Sequence, residues 1–338
     1  MIKSTQDRLA ALRRSGLERN DQIDPGGRVY IDPATGERFH SVTRVLQATA
    51  PEQQKDALER WLQLPWAPME RDTAARRGTA AHSGAEYLLK TANRLVRNTA
   101  NRRNVWRTTD QGLERAPTAI TRWALGKTHG QVPAMPWGFA GYGRGLNDWI
   151  VNNVDAIHAI EFSVRSKHGF AGTADALLEI QGMAGPCIVD WKTTQRPDCP
   201  DYALAQYKAQ MGAYAIGLKE MTGVRPAGAC VVVARKSGPA IIKTLDRAEL
   251  DAAESEFIAR CARYFASLTA GSYICQPHGR LVYMSASRLG HGHPGGLGPI
   301  GPMGFLEADG RHFGGCGGGG APHDKCQGAW RDGSPRTL

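Results

Sequence analysis

Two apolar stretches near the middle of the chain decide the fold: residues 170–180 read FAGTADALLEI, and residues 187–194 read CIVDWKTT. Both are rich in aliphatic or β-branched residues and are bounded by glycine or proline, which is typical of β-strands. Each contains one aspartate in an otherwise apolar run, Asp175 in the first and Asp190 in the second. If the two strands pair as a hairpin, Asp175 can lie beside Asp190.

Lys192 follows Asp190 by two residues, and alternate residues of a strand point to the same face. Two carboxylates buried together repel each other, so a cation is needed to neutralise them. A hard divalent ion with oxygen ligands, Mg²⁺ or Mn²⁺, suits this role, and it can stabilise charge that builds on a phosphate. Taken alone, however, an Asp-x-Lys pattern more often indicates a surface salt bridge.

The 338-residue chain carries a formal net charge of +10 and has a pI near 9.4. This balance indicates an acidic partner, with nucleic acid as the first candidate and an anionic surface as the second. The seven cysteines form no Cys-x-x-Cys pair, so neither a zinc ribbon nor a disulfide framework is expected. The absence of a secretory segment and of an apolar run of about 18 residues predicts a cytoplasmic protein without a membrane partner.

Composition divides the chain into three parts. Residues 1–28 are polar and basic and are predicted to be an N-terminal extension, either a short amphipathic helix or a frayed end. Residues 29–285 carry the hydrophobic patterns and are predicted to form one domain. Residues 286–338 are rich in glycine and cannot bury enough apolar surface to offset chain entropy, so this tail is predicted to be disordered.

Within the predicted domain, hydrophobic periodicity fails between residues 98 and 147, where arginines are mixed with aromatic residues. Cations bind phosphates and indole rings stack on bases, so this insertion suits a groove for single-stranded nucleic acid. A solvated loop with its tryptophans tucked into the core is equally compatible with the pattern. The candidate nucleic-acid-binding residues of the insertion are Arg102, Arg103, Trp106 and Arg107.

The remaining segments predict a mixed sheet flanked by helices, an α/β fold. A hairpin is expected around residues 32–36, and the further strands cover residues 156–165, which include Glu161, 229–235 and 240–245. The predicted helices cover residues 41–46, 52–64, 70–97, 202–222 and 246–268, with Ser41 and Asp246 as caps. Three consecutive strands favour an antiparallel meander, and the next helix and strand favour a right-handed crossover to a parallel strand.

Two of the predicted helices carry polar side chains that a site could use. His82 lies among small residues of the 70–97 helix; a lone helical histidine is most often a satisfied side chain, but imidazole also binds metals in carboxylate-rich sites. Gln206, Gln210 and Tyr214 are spaced by four residues and share one helix face. That face could contact a phosphate, fix a catalytic lysine or be a solvated stripe.

Four separated motifs resemble, in order and spacing, those of RecB-like nucleases of the PD-(D/E)XK superfamily. They are GTAAH at residues 78–82, GTAD at 172–175, IVDWKT at 188–193 and QMGAY at 210–214. Together with SVTRVL at 41–46, they make the chain similar to the mitochondrial genome maintenance exonuclease family and its phage and bacterial relatives. The resemblance covers roughly residues 29–270 and implies a restriction-endonuclease-like core.

The resemblance also implies a role for each matching residue. The implied metal ligands are His82, Asp175, Asp190 and the backbone carbonyl of Trp191, with Glu161 as a further candidate. The implied catalytic residues are Asp175, Asp190, Lys192, Gln210 and Tyr214. Contacts with nucleic acid are expected from Arg77, Thr79, Thr193 and Gln206. The aspartate at position 190 departs from the commoner glutamate, a difference that the motif allows.

The activity that the resemblance implies is that of a Mg²⁺- or Mn²⁺-dependent DNA exonuclease. It would act on single-stranded DNA or DNA ends in phage or bacterial replication, recombination or repair, with a single-strand-annealing or replication protein as a further partner. The cysteines do not group as the iron–sulfur cluster of some relatives requires, so no such cluster is expected. Two alternatives stay open: a structure- or sequence-specific endonuclease of the same superfamily, and a non-catalytic nucleic-acid-binding module.

Overall fold

The computed structural model describes residues 9, 12, 16–20, 28–136 and 138–270, together with the backbone of residues 273–275 and 281–283. The predicted glycine-rich tail, residues 286–338, lies outside the described residues. The helices of the described part are α1 (Val42–Ala48), α2 (Glu52–Leu62), α3 (Ala67–Arg103), α4 (Thr118–His129), α5 (Ala140–Asn153), α6 (Asp201–Thr222) and α7 (Arg247–Ala270).

The strands of the described part are β1 (Glu18–Asn20), β2 (Val29–Ile31), β3 (Arg38–Ser41), β4 (Arg107–Thr108), β5 (Glu114–Arg115), β6 (Val154–Ser166), β7 (Phe170–Ile180), β8 (Pro186–Thr194), β9 (Gly228–Arg235), β10 (Ile241–Leu245), β11 (Tyr273–Cys275) and β12 (Leu281–Tyr283). The central sheet has the strand order β1-β2-β3-β7-β8-β9-β10, and β6 pairs with the other edge of β7. The hairpins β4–β5 and β11–β12 form separate two-stranded sheets.

The central sheet is mixed, as the sequence predicts. Strands β6, β7 and β8 form an antiparallel meander, and β8 pairs in parallel with β9 after the α6 connection. Strand β3 also pairs in parallel with β7, which brings the β2–β3 hairpin into the same sheet. The restriction-endonuclease-like arrangement of a meander, a helix and a parallel strand is therefore confirmed.

Helices cover both faces of the sheet, and each face has its own hydrophobic cluster. In β8, Ile188 packs in the cluster with α1, α6 and α7, whereas the next residue, Val189, packs in the cluster with α3, α4 and α5. Leu9 and Leu12, from the predicted N-terminal extension, are buried in the first of these clusters, and β1 adds an edge strand to the sheet. Among the described helices, none is long and apolar enough to span a membrane.

Local sequence signals set the starts of two helices. Ser41 Oγ accepts a hydrogen bond from the backbone N–H of Arg44 at 3.1 Å, which caps α1. Asp246 and Glu249 form a reciprocal capping box before α7. Asp246 Oδ1 accepts from the Glu249 backbone N–H at 2.8 Å, and Glu249 Oε2 accepts from the Asp246 backbone N–H at 3.2 Å. Both predicted caps are confirmed.

The segment at residues 98–147 is more regular than its hydrophobic pattern suggests. It contains the end of α3, the β4–β5 hairpin, α4 and the start of α5. The glycine-rich start of α5 does not read as a helix, but a Cβ atom at Gly141 would lie 1.8 Å from the backbone carbonyl oxygen of Lys236. A glycine is needed at position 141 because α5 approaches the end of β9 closely. The glycines at the start of α5 interrupt the hydrophobic pattern by which a helix is recognised in the sequence.

Candidate active site

The two aspartates of the central stretch lie where strands β7 and β8 separate. The ladder between these strands ends at the pair of Ala176 with Val189, so Asp175 and Asp190 occupy opposite positions one residue beyond it. Beyond this point β8 pairs only with β9 among the described strands. The backbone N–H of Trp191 donates instead to the Asp175 side chain, at 2.6 Å from Oδ2. Both carboxylates are buried: 7% of Asp175 and 2% of Asp190 is exposed.

Lys192 lies on the same face of β8 as Asp190, as strand alternation predicts. Its Nζ atom is 2.5 Å from Asp190 Oδ2 and 5.3 Å from the centroid of the Tyr207 ring. Gln210 Nε2 donates to Asp190 Oδ1 at 3.5 Å and to the Tyr214 hydroxyl at 2.7 Å. Helix α6 therefore lines one side of the Asp190–Lys192 ion pair with hydrogen-bonding groups.

His82 approaches Asp175 from helix α3, on the opposite side of the sheet. The His82 Nδ1 atom lies 3.3 Å from Asp175 Oδ1, and Nε2 lies 2.8 Å from the Trp191 carbonyl oxygen. Metal-binding imidazoles commonly donate their second N–H to a backbone carbonyl, which fixes the orientation of the ring. The Trp191 carbonyl, a predicted metal ligand, is thus engaged by Nε2, and Nδ1 faces the carboxylate.

Glu161 completes a group of three potential ligands. One ligand atom from each of His82, Glu161 and Asp175 lies within 4.8 Å of the other two. Glu161 is across from Asp175 on the neighbouring strand β6, and its φ of 47° places its backbone in the left-handed region. That conformation costs a non-glycine residue about 1–3 kcal/mol and is found most often at functional sites.

The pKa values of His82, Glu161 and Asp190 are all raised above their ordinary values. Burial raises the pKa of Glu161, and the negative charge of Asp175 adds to this effect, so the pKa is about 7. Burial alone would lower the pKa of His82, but the hydrogen bond to Asp175 and the charges of Asp175 and Asp190 raise it to about 9. Burial also raises the pKa of Asp190, despite the attraction of Lys192. The site therefore favours added positive charge.

The three potential ligands fit a hard divalent cation. Carboxylate oxygens and an imidazole nitrogen are donors that Mg²⁺ and Mn²⁺ accept, at distances of about 2.0–2.6 Å. Two ligands at these distances from one ion are at most about 5 Å apart, and the ligand atoms of His82, Glu161 and Asp175 all lie within 4.8 Å of one another. Asp190, also a predicted ligand, is not in this group and instead holds Lys192.

Two residues predicted to contact nucleic acid meet at the end of β8. Arg77 Nε donates to Thr193 Oγ1 at 3.1 Å, and the Arg77 guanidinium carbon lies 5.2 Å from the centroid of the Tyr142 ring. Arg77 is buried, whereas Thr79, two residues later in α3, is exposed. The structure therefore places this part of α3 directly beside the strand that carries Asp190 and Lys192.

Gln206, also predicted to contact nucleic acid, connects three helices near the site. It donates to the Gln54 side chain of α2 at 3.3 Å and accepts from Arg260 of α7 at 3.2 Å. Its amide is therefore used within the protein. Gln206 precedes Gln210 by about one turn of α6, so these hydrogen bonds hold the helix that lines the ion pair.

The other predicted nucleic-acid-binding residues lie far from the aspartates. Arg102 and Arg103 end helix α3, which also carries His82. At about 1.5 Å per helical residue, the two arginines are about 30 Å from His82 along the helix axis. Trp106 and Arg107 follow after Asn104 and Val105. The structure thus brings the predicted catalytic and metal-binding residues together and leaves this basic group at a distance.

Tyr207 is a residue of the site that the sequence patterns did not single out. Its ring stands beside Lys192, and burial raises the pKa of its hydroxyl. Because Tyr207 precedes Gln210 by three residues, the two side chains share one face of α6. The three-residue spacing between Tyr207 and Gln210 is the sequence signal that could have identified Tyr207.

A family model of the PD-(D/E)XK nuclease superfamily matches residues 9–278. No protein of curated function matches this sequence. The chain belongs to the PD-(D/E)XK nuclease superfamily, which agrees with its mixed sheet and with the acidic group at the end of the β7–β8 ladder. Membership implies a nuclease with a nucleic-acid substrate that uses divalent metal, and the group of His82, Glu161 and Asp175 is the candidate metal site.

Proposed function

We propose that this nuclease is a Mg²⁺- or Mn²⁺-dependent DNA exonuclease. Its proposed substrates are single-stranded DNA or DNA ends, in phage or bacterial replication, recombination or repair. The observation that carries the proposal is the convergence of His82, Glu161, Asp175 and Asp190, from four different elements, beside the Lys192 ammonium. Hydrolysis of a phosphodiester needs positive charge near the phosphate and an activated water, and such a group can provide both.

The proposed metal ligands are His82, Glu161 and Asp175, with Asp190 and the Trp191 carbonyl as further predicted ligands. When bound, a divalent cation supplies positive charge to the phosphate and lowers the pKa of water. The hydrogen bond between His82 Nε2 and the Trp191 carbonyl fixes the imidazole, so that Nδ1 points toward the carboxylates. The left-handed backbone of Glu161 directs its side chain to the same group.

Lys192 is the proposed catalytic lysine. Asp190 holds its ammonium group through the 2.5 Å contact. From α6, Gln210 donates to Asp190 and to the hydroxyl of Tyr214. In the proposed reaction, a water oxygen forms a bond to phosphorus and the bond to the leaving 3′ oxygen breaks. The water gives up a proton and the leaving oxygen takes one, which leaves a 5′-phosphate end. Lys192 orients the water and meets the negative charge that develops on the phosphate.

DNA is the proposed substrate because of the charge of the chain and the residues beside the Asp190–Lys192 ion pair. The net charge of +10 favours a polyanion. Arg77, Thr79 and Thr193 are proposed to contact phosphates next to the cleavage site, and Gln206 to hold α6 in place. A single-strand-annealing or replication protein is the proposed further partner, in the cytoplasm of a bacterial host.

Substituting the proposed catalytic lysine tests the proposal. Lys192→Ala is expected to lower the cleavage rate of a labelled oligonucleotide by at least about 10²-fold, because the charge on the transition state loses its partner. Binding of the same oligonucleotide in EDTA should change little. The matched control is Lys208→Ala, which removes the same charge from a half-buried position of α6 where the lysine pairs with Glu249. Full activity in the Lys192→Ala variant would refute the assignment.

Two further assays separate the proposal from its alternatives. An exonuclease degrades linear DNA and spares closed circular DNA, so digestion of the circular form would favour a structure- or sequence-specific endonuclease. A non-catalytic binding module would leave a labelled oligonucleotide intact in the presence of Mn²⁺. The nuclease hypothesis instead predicts cleavage that EDTA abolishes.

A further inference from the structure

The exposed face of helix α3 forms a continuous stripe beside the candidate active site. An α-helix advances about 100° per residue, so residues spaced alternately by three and four positions share one face. The residues of this face, which we call the α3 stripe, are Thr79, Ser83, Tyr87, Lys90, Arg94, Arg97 and Asn101. All seven are exposed, and by this geometry they lie within about 80° of one another around the helix axis.

One end of the α3 stripe lies at the candidate metal site. Ser83 is adjacent to His82 in the helix. Glu86 and Lys90 lie about one and two turns beyond His82 in the same helix. Lys90 also forms an ion pair with Glu86. The stripe therefore starts at the group of potential metal ligands and leads away from it.

Beyond Lys90 the α3 stripe is positively charged. Arg94 donates to the neutral hydroxyl of Thr91 at 3.2 Å. Within the described part of the chain, neither Arg94 nor Arg97 has a carboxylate within 4.0 Å. Between residues 83 and 103, Glu86 is the one acidic residue in the sequence. Arginines without an acidic neighbour can bind phosphates without first breaking an ion pair.

An aromatic residue lies within this basic stripe, between the site and the arginines. Tyr87 is 37% exposed, so part of its ring faces solvent. Cations that track a phosphate backbone and an aromatic ring on which a base stacks are the two features of grooves for single strands. From Ser83 to Arg97 the stripe is about 21 Å long at about 1.5 Å per residue. That length matches about six phosphates at a stacked spacing of about 3.4 Å.

We propose that the α3 stripe is the path along which a single strand of DNA reaches the catalytic centre. The inference rests on the proposed function and adds the position of the strand. Lys90, Arg94 and Arg97 contact successive phosphates, and a base stacks on Tyr87. The stripe also runs from the site toward the distant basic group at the end of α3.

A double substitution on the stripe tests the proposed path. Arg94→Gln with Arg97→Gln removes two phosphate contacts from exposed positions. Binding of a fluorescent 15-nucleotide strand is measured by anisotropy in EDTA at several salt concentrations. The slope of log K against log salt should become shallower by about 1.4, at about 0.7 per lost contact. Affinity at low salt should fall roughly tenfold.

A matched control removes the same charge elsewhere. Lys219→Gln with Arg263→Gln takes two positive charges from exposed positions of α6 and α7, which cover the other face of the sheet. This variant should keep the affinity and the slope of the unsubstituted chain, because its side chains do not line the stripe. An equal loss in both double variants would mean that only net charge matters, which would overturn the proposed path.

Tyr87 provides a second, non-ionic readout. Tyr87→Ala should weaken binding about fivefold or more without changing the salt slope, because stacking releases no counterions. Tyr87→Phe keeps the ring and should bind like the unsubstituted chain. If the stripe variants keep the affinity and the salt slope of the unsubstituted chain, the path is wrong. If the unsubstituted chain nevertheless cleaves DNA, the proposed function stands. If the unsubstituted chain binds no single strand, the path is wrong; the proposed function itself fails only if the chain also cleaves no DNA in Mn²⁺.

Discussion

Glu161 is the residue through which the metal hypothesis can be tested most directly. Glu161→Gln keeps the size of the side chain and removes a charged ligand, so the affinity for Mn²⁺ is expected to fall at least about tenfold. Isothermal titration calorimetry measures this without any assay of activity. Glu86→Gln is the matched control, because it removes a nearby charge but no ligand atom of the group. Unchanged Mn²⁺ affinity in Glu161→Gln would exclude Glu161 as a ligand.

Glu179 is a buried carboxylate outside the candidate site. Arg115 Nη1 lies 2.7 Å from its Oε2 atom, and His158 Nε2 lies 3.0 Å from its Oε1 atom. Burial alone would raise the pKa of Glu179, but the hydrogen bond and charge of His158 and the charge of Arg115 lower it below its ordinary value of 4.5. The ionised form is therefore the one that the folded protein stabilises.

The lowered pKa of Glu179 predicts a pH-dependent loss of stability. A carboxyl group of this kind stabilises the folded state above its unfolded pKa, near 4.5, and this contribution disappears as the pH falls through the lower folded value. Glu179→Gln should reduce the free energy of unfolding by about 1–2 kcal/mol at pH 7. In urea titrations the difference between the two proteins should shrink as the pH falls from 5 toward 3. A constant difference would contradict this account.

Helices α6 and α7 approach each other closely at one glycine. A Cβ atom at Gly212 would lie 2.3 Å from the backbone carbonyl oxygen of Ala253, so any side chain there pushes the helices apart. Gly212→Ala should reduce the free energy of unfolding by about 1–3 kcal/mol, although alanine is the better helix former. Chemical denaturation measures the difference. The separation would also displace Gln210, which lies beside Asp190.

Gly126 in α4 is the control for this helix contact. It is exposed, and a Cβ atom there meets no other atom within 4 Å. Gly126→Ala should therefore raise the free energy of unfolding by up to about 1 kcal/mol, the difference in helix propensity. Equal effects of the two substitutions would show that the α6–α7 contact does not limit the size of residue 212.

At the scale of the whole molecule, metal binding and folding are linked. An ion that binds the folded chain alone stabilises it by about 2.7 kcal/mol at a concentration 100 times its Kd. Thermal unfolding should therefore move to higher temperature in Mn²⁺ and return in EDTA. Asp175→Asn removes a central ligand and should abolish the shift. Identical melting curves with Mn²⁺ and with EDTA would argue against a metal site assembled by folding.

Much of the architecture could be predicted because its signals are local. Alternating apolar residues, turn formers and caps act over a few positions, and they predict the β6–β8 meander, the α6 connection and the parallel strand β9. Local rules also place the caps at Ser41 and Asp246. The regular structure of residues 98–147 was missed because the glycines of α5 satisfy a contact with a distant segment.

The sequence by itself determined which chemical groups the site contains, because the residue types and their order along the chain carry that information. Tertiary structure decided how those groups are divided. The end of the β7–β8 ladder and the crossing of α3 over the sheet group His82 with Glu161 and Asp175, and leave Asp190 with Lys192. The distances from His82 to Glu161 and Asp175 depend on strand register and on helix packing across the 79 and 93 residues of chain between them, and no local pattern encodes them.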